Sequence, residues 1–311
     1  MGYEGLAYTA TPYDRAPDRR GDPRWTAHQL ARDDTQVVPM WRDRCLLSVG
    51  GAPAALTGTA GRAAAEAAEQ VALLGLEGAR AVFAADLSRL DEAEALRVTG
   101  ARATADIRGL AAALPSAQAA TLAYARGVLY WNRNQRFCGS CGASTVVRGG
   151  GHIRVCSDAG CAREHFPRIE PAIIVLVEAP GPPARCLLAR HHGAGPDRFS
   201  LLAGFVEIGE SLEGTVRREV AEEAGVAVGT VTYRGSQGWP FPAGLMVGFV
   251  ARALDDRIDV DGRELQEARW FTRDELVRRI VAGPGSGPPD SIGGWLMRSW
   301  AGLDDGEAPA G

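Results

Sequence analysis

The chain has 311 residues, of which 46% are hydrophobic and 23% are charged, and its formal net charge is −4. These values are ordinary for a globular protein long enough to form two or three domains. The negative net charge excludes bulk electrostatic attraction to nucleic acid or to an anionic membrane, so an anionic ligand must be held by local cations.

The first 135 residues predict a small α+β domain without a recognisable catalytic constellation. Residues 1–35 are rich in Pro, Arg and Asp, and we expect them to be weakly ordered. The hydrophobic pattern then predicts strands at 36–41, 44–49 and 80–85, and helices at 62–73, 89–97, 104–113 and 117–133, the last capped by Ser116.

The chain shows no targeting or membrane segment. Its N-terminal region lacks the apolar core of a signal peptide, and charged residues interrupt the Ala-rich stretch 63–85. We therefore expect a cytoplasmic protein without a membrane partner.

Four of the six cysteines follow the ligand spacing of a zinc ribbon. They are Cys138, Cys141, Cys156 and Cys161. Since disulfides are disfavoured in the cytoplasm, four thiolates at this spacing predict a structural Zn²⁺ within residues 136–168. Two alternatives stay open, namely His165 as a ligand in place of one cysteine and four unrelated buried thiols. The isolated Cys45 and Cys186 are expected to be core residues.

Residues 169–303 predict a mixed domain of strands and helices. The patterns indicate a hairpin of strands at 171–177 and 185–190, further strands at 245–253 and 265–271, helices at 273–281 and 291–300, and a flexible Gly/Pro loop at 283–289. Residues 304–311 are expected to form a disordered tail.

The most specific pattern runs from Gly204 to Val226 and reads G-x5-E-x7-R-E-U-x-E-E-x-G-U, where U is a bulky aliphatic residue. Every fixed position is filled. Ser211 is a suitable N-cap for a helix and Gly225 a suitable stop. Between them lies an apolar helix face made of Leu212, Val216 and Val220.

On this helix Glu223 should project into the apolar arc, with Glu219 on its edge and Glu222 further round. Partly buried carboxylates are costly unless they are paired or bound to metal. Mg²⁺ or Mn²⁺ prefers oxygen ligands, is commonly shared with substrate phosphates, and lowers the pKa of an attacking water. Arg218 should hold Glu210 by a bidentate fork. The alternative is a solvated charged helix face.

The pattern resembles the Nudix box, the signature of enzymes that hydrolyse a nucleoside diphosphate linked to another group. The stretch Ser236-Gln-Gly-Trp-Pro-Phe-Pro242 resembles the S-Q-P-W-P-F-P motif of the NADH pyrophosphatase branch of that family. So do the upstream zinc ribbon, Ala203, and the stretch from Glu264 to Phe271. The resemblance covers about residues 131–300 and is faint in the first 115.

The resemblance implies a fold and a reaction. The fold would be a Nudix α/β/α domain, a mixed β-sheet sandwiched by helices, preceded by the ribbon and the small α+β domain. The predicted boundaries are 1–135, 136–168 and 169–303. The reaction would be hydrolysis of the pyrophosphate of NAD(H) to nicotinamide mononucleotide and AMP, and also removal of NAD caps from RNA 5′ ends. A homodimer is expected.

The resemblance also assigns residues. Glu219, Glu223 and Glu264, with the carbonyl of Ala203, would bind catalytic Mg²⁺ or Mn²⁺, and Glu222 would have a metal-linked or a general-base role. Phe166 and Phe205, from different subunits, would stack on the nicotinamide ring. The remaining substrate contacts would be Gln237, Gly238, Trp239, Pro240, Phe241, Pro242, Ala243, Gly244 and Gly293.

Gly238 departs from the motif, which has proline there, and the greater flexibility of glycine is expected to weaken or alter dinucleotide binding. The stretch 239–242 also fits a rigid surface loop, and Glu264 a surface charge. Two other functions stay open. One is a Nudix hydrolase of ADP-ribose or another nucleoside diphosphate derivative. The other is a non-catalytic sensor or RNA-binding module using ribbon residues Arg148, Arg154, Arg163 and Arg168.

Overall fold

The computed structural model of the chain describes residues 6–9, 11–260, 262–283 and 290–303, without the side chain of Ala112. The chain forms two compact units. The first unit comprises residues 11–169 together with 239–243. The second unit comprises the described residues of 6–9, 170–238 and 244–303. The predicted tail 304–311 and most of the predicted loop, 284–289, lie outside the described residues. Within those residues, no helix is long and apolar enough to cross a membrane.

The first unit is built on a five-stranded sheet with the order β3-β4-β1-β2-β5. Its elements are α1 (Pro23–Ala31), β1 (Gln36–Trp41), β2 (Arg44–Leu47), α2 (Gly58–Ala67), β3 (Gln70–Glu77), β4 (Arg80–Asp86), α3 (Glu92–Thr99), β5 (Ala103–Ala105), α4 (Ile107–Leu110), a 3-10 turn (Ala111–Ala113) and α5 (Ser116–Asn134).

The prediction of one helix over 62–73 is wrong. The helix α2 ends at Ala67, and the apolar run that follows forms β3, which pairs with β4 in antiparallel register. A short continuous apolar run has no periodicity that separates a buried strand from a buried helix. Here pairing within the sheet decides for the strand.

Three smaller expectations in this unit also change. Part of the stretch expected to be weakly ordered forms α1, because the Asp22 side chain accepts from Arg24 N and a proline stands at the first helical position. The predicted helix 104–113 divides into the end of β5, α4 and the 3-10 turn. Ser116 is already helical, and Pro115 precedes it at the cap position.

The cysteine-bearing segment also belongs to the first unit. It forms a three-stranded antiparallel sheet of β6 (Thr145–Arg148), β7 (Ile153–Cys156) and β8 (Glu164–His165) in the order β6-β7-β8. The segment Ile153–Cys156 is the central strand of this small sheet.

The second unit contains a six-stranded mixed sheet. Its elements are β9 (Glu170–Glu178), β10 (Arg185–His191), β11 (Leu202–Phe205), α6 (Leu212–Ala224), β12 (Val228–Trp239), β13 (Gly244–Ala253), β14 (Leu265–Thr272), α7 (Arg273–Ala282) and α8 (Ile292–Ala301). The strand order is β12-β13-β9-β10-β14, with β11 also pairing with β9. The predicted hairpin of β9 and β10 is confirmed, whereas β11 and β12 were not predicted.

Alternation along β9 shows that the sheet is covered on both faces. Ile173 and Val175 pack in one core with α6, through Val216 and Val220 among others. Leu176 packs in the opposite core with α7 and α8. Because successive side chains of a strand point to opposite faces, this central strand is buried on both sides. The expected α/β/α arrangement is therefore confirmed.

Candidate active site

Local sequence chemistry sets both ends of α6. The Ser211 hydroxyl accepts from Gly214 N at 3.0 Å, and Gly225 ends the helix in the left-handed region at φ 66°. A side chain on Gly225 would also begin 2.7 Å from Asp259 Cβ. Glycine is needed there for both its backbone conformation and its small size, and the predicted helix limits are confirmed.

Arg218 and Glu210 form the two-point ion pair predicted from the sequence. Arg218 Nε donates to Glu210 Oε1 at 2.7 Å, and Nη2 donates to Oε2 at 2.9 Å. Glu210 Oε2 accepts also from Glu207 N and from the Thr215 hydroxyl. These contacts lower the pKa of Glu210 to about 2, and the largest effect is that of the hydrogen bond from Arg218. The loop before α6 is therefore fastened to the helix by an ionised carboxylate.

The three carboxylates near the C-terminal end of α6, Glu219, Glu222 and Glu223, differ in burial in the predicted order. Glu223 is 5% exposed, the Glu219 side chain is 12% exposed, and the Glu222 side chain is 63% exposed. Arg218 Nη1 lies 2.9 Å from Glu219 Oε1 and 3.2 Å from Glu222 Oε2. The guanidinium thus neutralises part of a cluster that would otherwise repel itself.

Burial raises the pKa of Glu219, and the neighbouring charges of Glu222 and Glu264 raise it further, against the opposing effect of Arg218. Glu264 stands exposed just before β14, and its carbonyl accepts from His192 N at 3.2 Å. Glu264, just before the edge strand β14, therefore places a further negative charge near Glu219 of α6. Glu222 and Glu264 thus lie close enough to act on the charge of Glu219, and their role with Glu223 as metal ligands stays a prediction.

The backbone of β11 lies directly under this cluster. Ala203 and Gly204 pair with Ile174 and Ile173 of β9, and a Cβ on Gly204 would overlap both carboxylate oxygens of Glu219. Carboxylate oxygens beside a bare peptide backbone are the donors that hard divalent cations prefer. The residues present therefore fit Mg²⁺ or Mn²⁺.

The aromatic segment 239–243 belongs to the first unit and is covered there by two arginines. The rings of Trp239 and Phe241 meet edge to face with centroids 5.3 Å apart. The Arg108 guanidinium lies 4.0 Å from the Phe241 centroid, and that of Arg126 lies 4.9 Å from it. Arg126 Nη1 also donates to the Pro242 carbonyl at 3.5 Å. No sequence pattern indicates these arginines, because they lie more than 100 residues upstream, on α4 and α5.

Two other predicted substrate residues are enclosed by the second unit. Gln237 is fully buried, and its side chain bonds only to backbone groups among the contacts described. Gly293 is buried in the first turn of α8, where a Cβ would lie 2.8 Å from Ile174 Cδ1. Pro240 is buried, whereas Gly238, Trp239, Phe241, Pro242, Ala243 and Gly244 are half-buried. Gln237 and Gly293 are thus enclosed within the second unit, and their role as substrate contacts stays a prediction.

The two phenylalanines expected to stack on nicotinamide are both exposed. Phe166 is 56% exposed in the first unit, and Phe205 is 63% exposed at the end of β11 in the second. An exposed aromatic face is available to a planar heteroaromatic ring. Their joint role stays a prediction.

The four predicted zinc ligands converge. Their sulfur atoms lie within 4.8 Å of one another, with Cys138 and Cys161 at 3.8 Å and Cys141 and Cys156 at 3.4 Å. Backbone N–H groups of Ser140 and Cys141 lower the pKa of Cys138 to about 5, which favours the thiolate that binds metal. His165 is not a member of this four-sulfur group, but its side chain hydrogen-bonds Cys138 and contributes to the lower pKa of that thiol. Tetrahedral Zn²⁺ fits these thiolates.

One ribbon arginine is not available to a nucleic acid. Arg154 is buried, with Nε donating to the Thr145 hydroxyl at 2.7 Å and Nη1 to the Asn132 carbonyl at 2.9 Å. The alternative of an RNA-binding surface made of all four arginines is therefore excluded, because this side chain ties β7 to β6 and to α5. Arg148, Arg163 and Arg168 remain exposed.

Three family models match successive parts of the chain. They are the NADH pyrophosphatase-like rudimentary NUDIX domain at residues 34–131, the NADH pyrophosphatase zinc ribbon domain at 133–166 and the NUDIX domain at 168–288. The chain belongs to the Nudix family. Within that family, the ribbon and the rudimentary domain place it in the NADH pyrophosphatase branch, and the resemblance stated from the sequence is confirmed.

Curated relatives match the same region. The human NAD-capped RNA hydrolase NUDT12 is 38% identical over 197 residues, which cover 60% of this chain and 42% of the relative. The NAD-capped RNA hydrolase NudC of Mycobacterium tuberculosis (strain CDC 1551 / Oshkosh) is 42% identical over 207 residues, covering 63% and 64%. The matched region is therefore less than two thirds of either relative's length.

Solved structures agree less closely. The crystal structure of a NUDIX hydrolase from Nitrosomonas europaea is 25% identical, covers 45% of this chain and 79% of its own, and has a TM-score of 0.35. The assignment of the fold therefore depends on the family models and on the sheet and helices described above.

Proposed function

We propose that this protein hydrolyses the central pyrophosphate of NAD(H), giving nicotinamide mononucleotide and AMP, and that it removes NAD caps from RNA 5′ ends by the same reaction. The observation that carries the proposal is the position of the Glu219 carboxylate against the bare backbone of Gly204, with Arg218 beside it. This arrangement supplies oxygen donors for a divalent cation next to the guanidinium of Arg218, which holds the Glu219 carboxylate. The family models and the names of the relatives support NAD as the substrate.

The oxygen atoms of Glu219, Glu223, Glu264 and the Ala203 carbonyl would hold Mg²⁺ or Mn²⁺. When bound, the cation supplies charge neutralisation for the pyrophosphate and acidifies a water. Glu222 is the exposed member of the cluster with Glu219 and Glu223 and can be reached by water, so we assign it the role of proton acceptor. Arg218 keeps Glu210 and Glu219 in place and joins them to the Phe205 carbonyl, to which Nη2 donates at 2.9 Å.

The dinucleotide would lie against the segment 239–244, with Phe166 and Phe205 stacking on the nicotinamide ring. The half-buried aromatic rings and the two arginines over Phe241 support this position, since a rigid aromatic surface binds a planar ring without much loss of entropy. The two phenylalanines acting across a homodimer, and a cytoplasmic location, stay predictions.

The first test is a product analysis. Purified protein is incubated with NADH or ADP-ribose in Mg²⁺ or Mn²⁺, and the products are separated by chromatography. We expect reduced nicotinamide mononucleotide and AMP from the wild type. Glu223→Gln should lose about 10²–10⁴-fold in rate. Glu213→Gln, which neutralises an exposed carboxylate on the same helix, is the matched control and should keep full activity.

The other outcomes separate the alternatives. Robust ADP-ribose turnover without NADH cleavage would show that the enzyme acts on a different nucleoside diphosphate derivative. Absence of both reactions would favour a non-catalytic Nudix protein. For the capped substrate, an RNA with a 5′ NAD cap should be cut to a 5′-monophosphate RNA, and the same RNA with a 5′ triphosphate should remain uncut.

A further inference from the structure

The residues at the N-terminal end of the described chain are packed into the second unit, far in sequence from the rest of it. Leu6, Ala7 and Tyr8 are all buried. Leu6 is part of the core beneath α7 and α8. Tyr8 has φ 69°, a left-handed conformation that a bulky residue keeps only when its surroundings hold it. We call residues 6–9 the strap.

The buried amide of Gln237 connects the strap to two other stretches. Nε2 donates to the Ala7 carbonyl at 3.0 Å and to the Asp290 carbonyl at 2.7 Å, and Oε1 accepts from Ile292 N at 2.8 Å. The Tyr8 hydroxyl donates to Asp290 Oδ2 at 3.0 Å. Because a buried polar group that loses its partner carries a large desolvation cost, these bonds fix the strap, β12 and the start of α8 together.

Gly238, the residue after Gln237, lies in close contact with the strap. A Cβ on Gly238 would lie 3.1 Å from the Tyr8 carbonyl oxygen, closer than ordinary van der Waals contact. The φ of Gly238 is not positive, so its backbone conformation does not require glycine. The close approach of the strap therefore favours glycine at this position, where the related motif has proline. The flexibility expected from the sequence is restrained by this contact.

We propose that the strap is a specificity-determining element of the dinucleotide site and that Tyr8 and Gln237 are positioning residues. Gln237 and Gly238 lead directly into the aromatic segment at Trp239, and Ile292 directly precedes Gly293. The strap and Gln237 thus hold the residues that immediately precede both predicted substrate-binding stretches along the chain. This inference builds on the proposed function.

The test uses the full chain with Tyr8→Phe, which removes only the hydroxyl that binds Asp290. Amide hydrogen exchange is followed without substrate, and NADH turnover gives kcat and KM separately. We expect faster exchange at 236–239 and 292–296, and KM for NADH higher by about three- to tenfold with kcat nearly unchanged. Tyr13→Phe is the matched control, since that hydroxyl pairs with the Thr121 hydroxyl in the first unit, and it should change neither quantity.

Gly238→Ala provides a second, independent variant, because its methyl group pushes on the Tyr8 carbonyl while every hydrogen-bonding group is retained. It should raise KM and speed exchange at the strap. Unchanged exchange in both variants, or faster exchange with unchanged KM in an active enzyme, overturns the positioning role. If the wild type does not cleave NADH, the proposed function fails, while the exchange result still decides whether the strap holds β12 and α8.

Discussion

The carboxylate of Glu219 occupies the space in which a side chain on Gly204 would begin. The φ of Gly204 is not positive, so alanine is compatible with its backbone and only the carboxylate stands in the way. Gly204→Ala should therefore displace the end of a flexible side chain at little cost in stability, but remove a metal ligand. We expect activity to fall by about 10²-fold or more with the melting temperature nearly unchanged.

Parallel measurements of kcat/KM, Mn²⁺ affinity and thermal unfolding check this prediction. Gly209→Ala lies in the same loop, where a Cβ would have open space, but Gly209 has φ 93°. That variant should lose stability through backbone strain and keep the metal affinity. Full activity in Gly204→Ala would show that Glu219 does not need its present position.

Arg218→Lys tests whether the geometry of the Arg218 guanidinium matters, because lysine keeps the positive charge. A lysine ammonium cannot reproduce the two-point bond to Glu210 while also contacting Glu219, Glu222 and the Phe205 carbonyl. We expect kcat to fall by about ten- to hundredfold, since a misplaced ligand set is costly. Arg217→Lys, on the same helix, is the control and should retain activity. Equal kcat values for the two variants would contradict the anchoring role.

The parts of this site that were predictable from the sequence depend on local chemistry. Ser211 and Gly225 end α6 through interactions within a few residues, and the spacing of Glu219, Glu222 and Glu223 fixes their order of burial on any α-helix. The ribbon is similar, since the spacing of the four cysteines predicts the cluster of sulfur atoms that the structure shows.

The parts that were not predictable depend on contacts between distant residues. The apolar run of β3 became a strand only because β4 pairs with it. Gln237 belongs to a motif read as substrate contact, but its burial is decided by Ala7 and Asp290. Likewise, nothing near Phe241 in sequence indicates that Arg108 lies over its ring.

Stability at acidic pH should depend on Glu210. Its pKa is about 2 in the folded protein against 4.5 normally, so its ionised form is favoured by folding. That contribution is fully present above about pH 4.5 and is lost as the pH falls towards 2. In urea unfolding, wild type should therefore exceed Glu210→Gln in stability at pH 6, and the difference should narrow between pH 4.5 and 3. If the difference in unfolding free energy between wild type and Glu210→Gln stays constant over that pH range, the ion pair with Arg218 does not contribute to stability.

The zinc content of the protein should depend on the thiols of the four ribbon cysteines and on no other cysteine. Cys138→Ser removes a ligand that the backbone holds ready as thiolate, so bound zinc, measured by elemental analysis, should fall well below one per chain and β6–β8 should lose protection from proteolysis. Cys45→Ala is the control. Burial raises the pKa of Cys45 to about 12, which keeps it a neutral thiol outside the cluster, and zinc content should not change. Retention of stoichiometric zinc in Cys138→Ser would show that another side chain replaces the missing thiolate, and a further His165→Ala substitution would identify it.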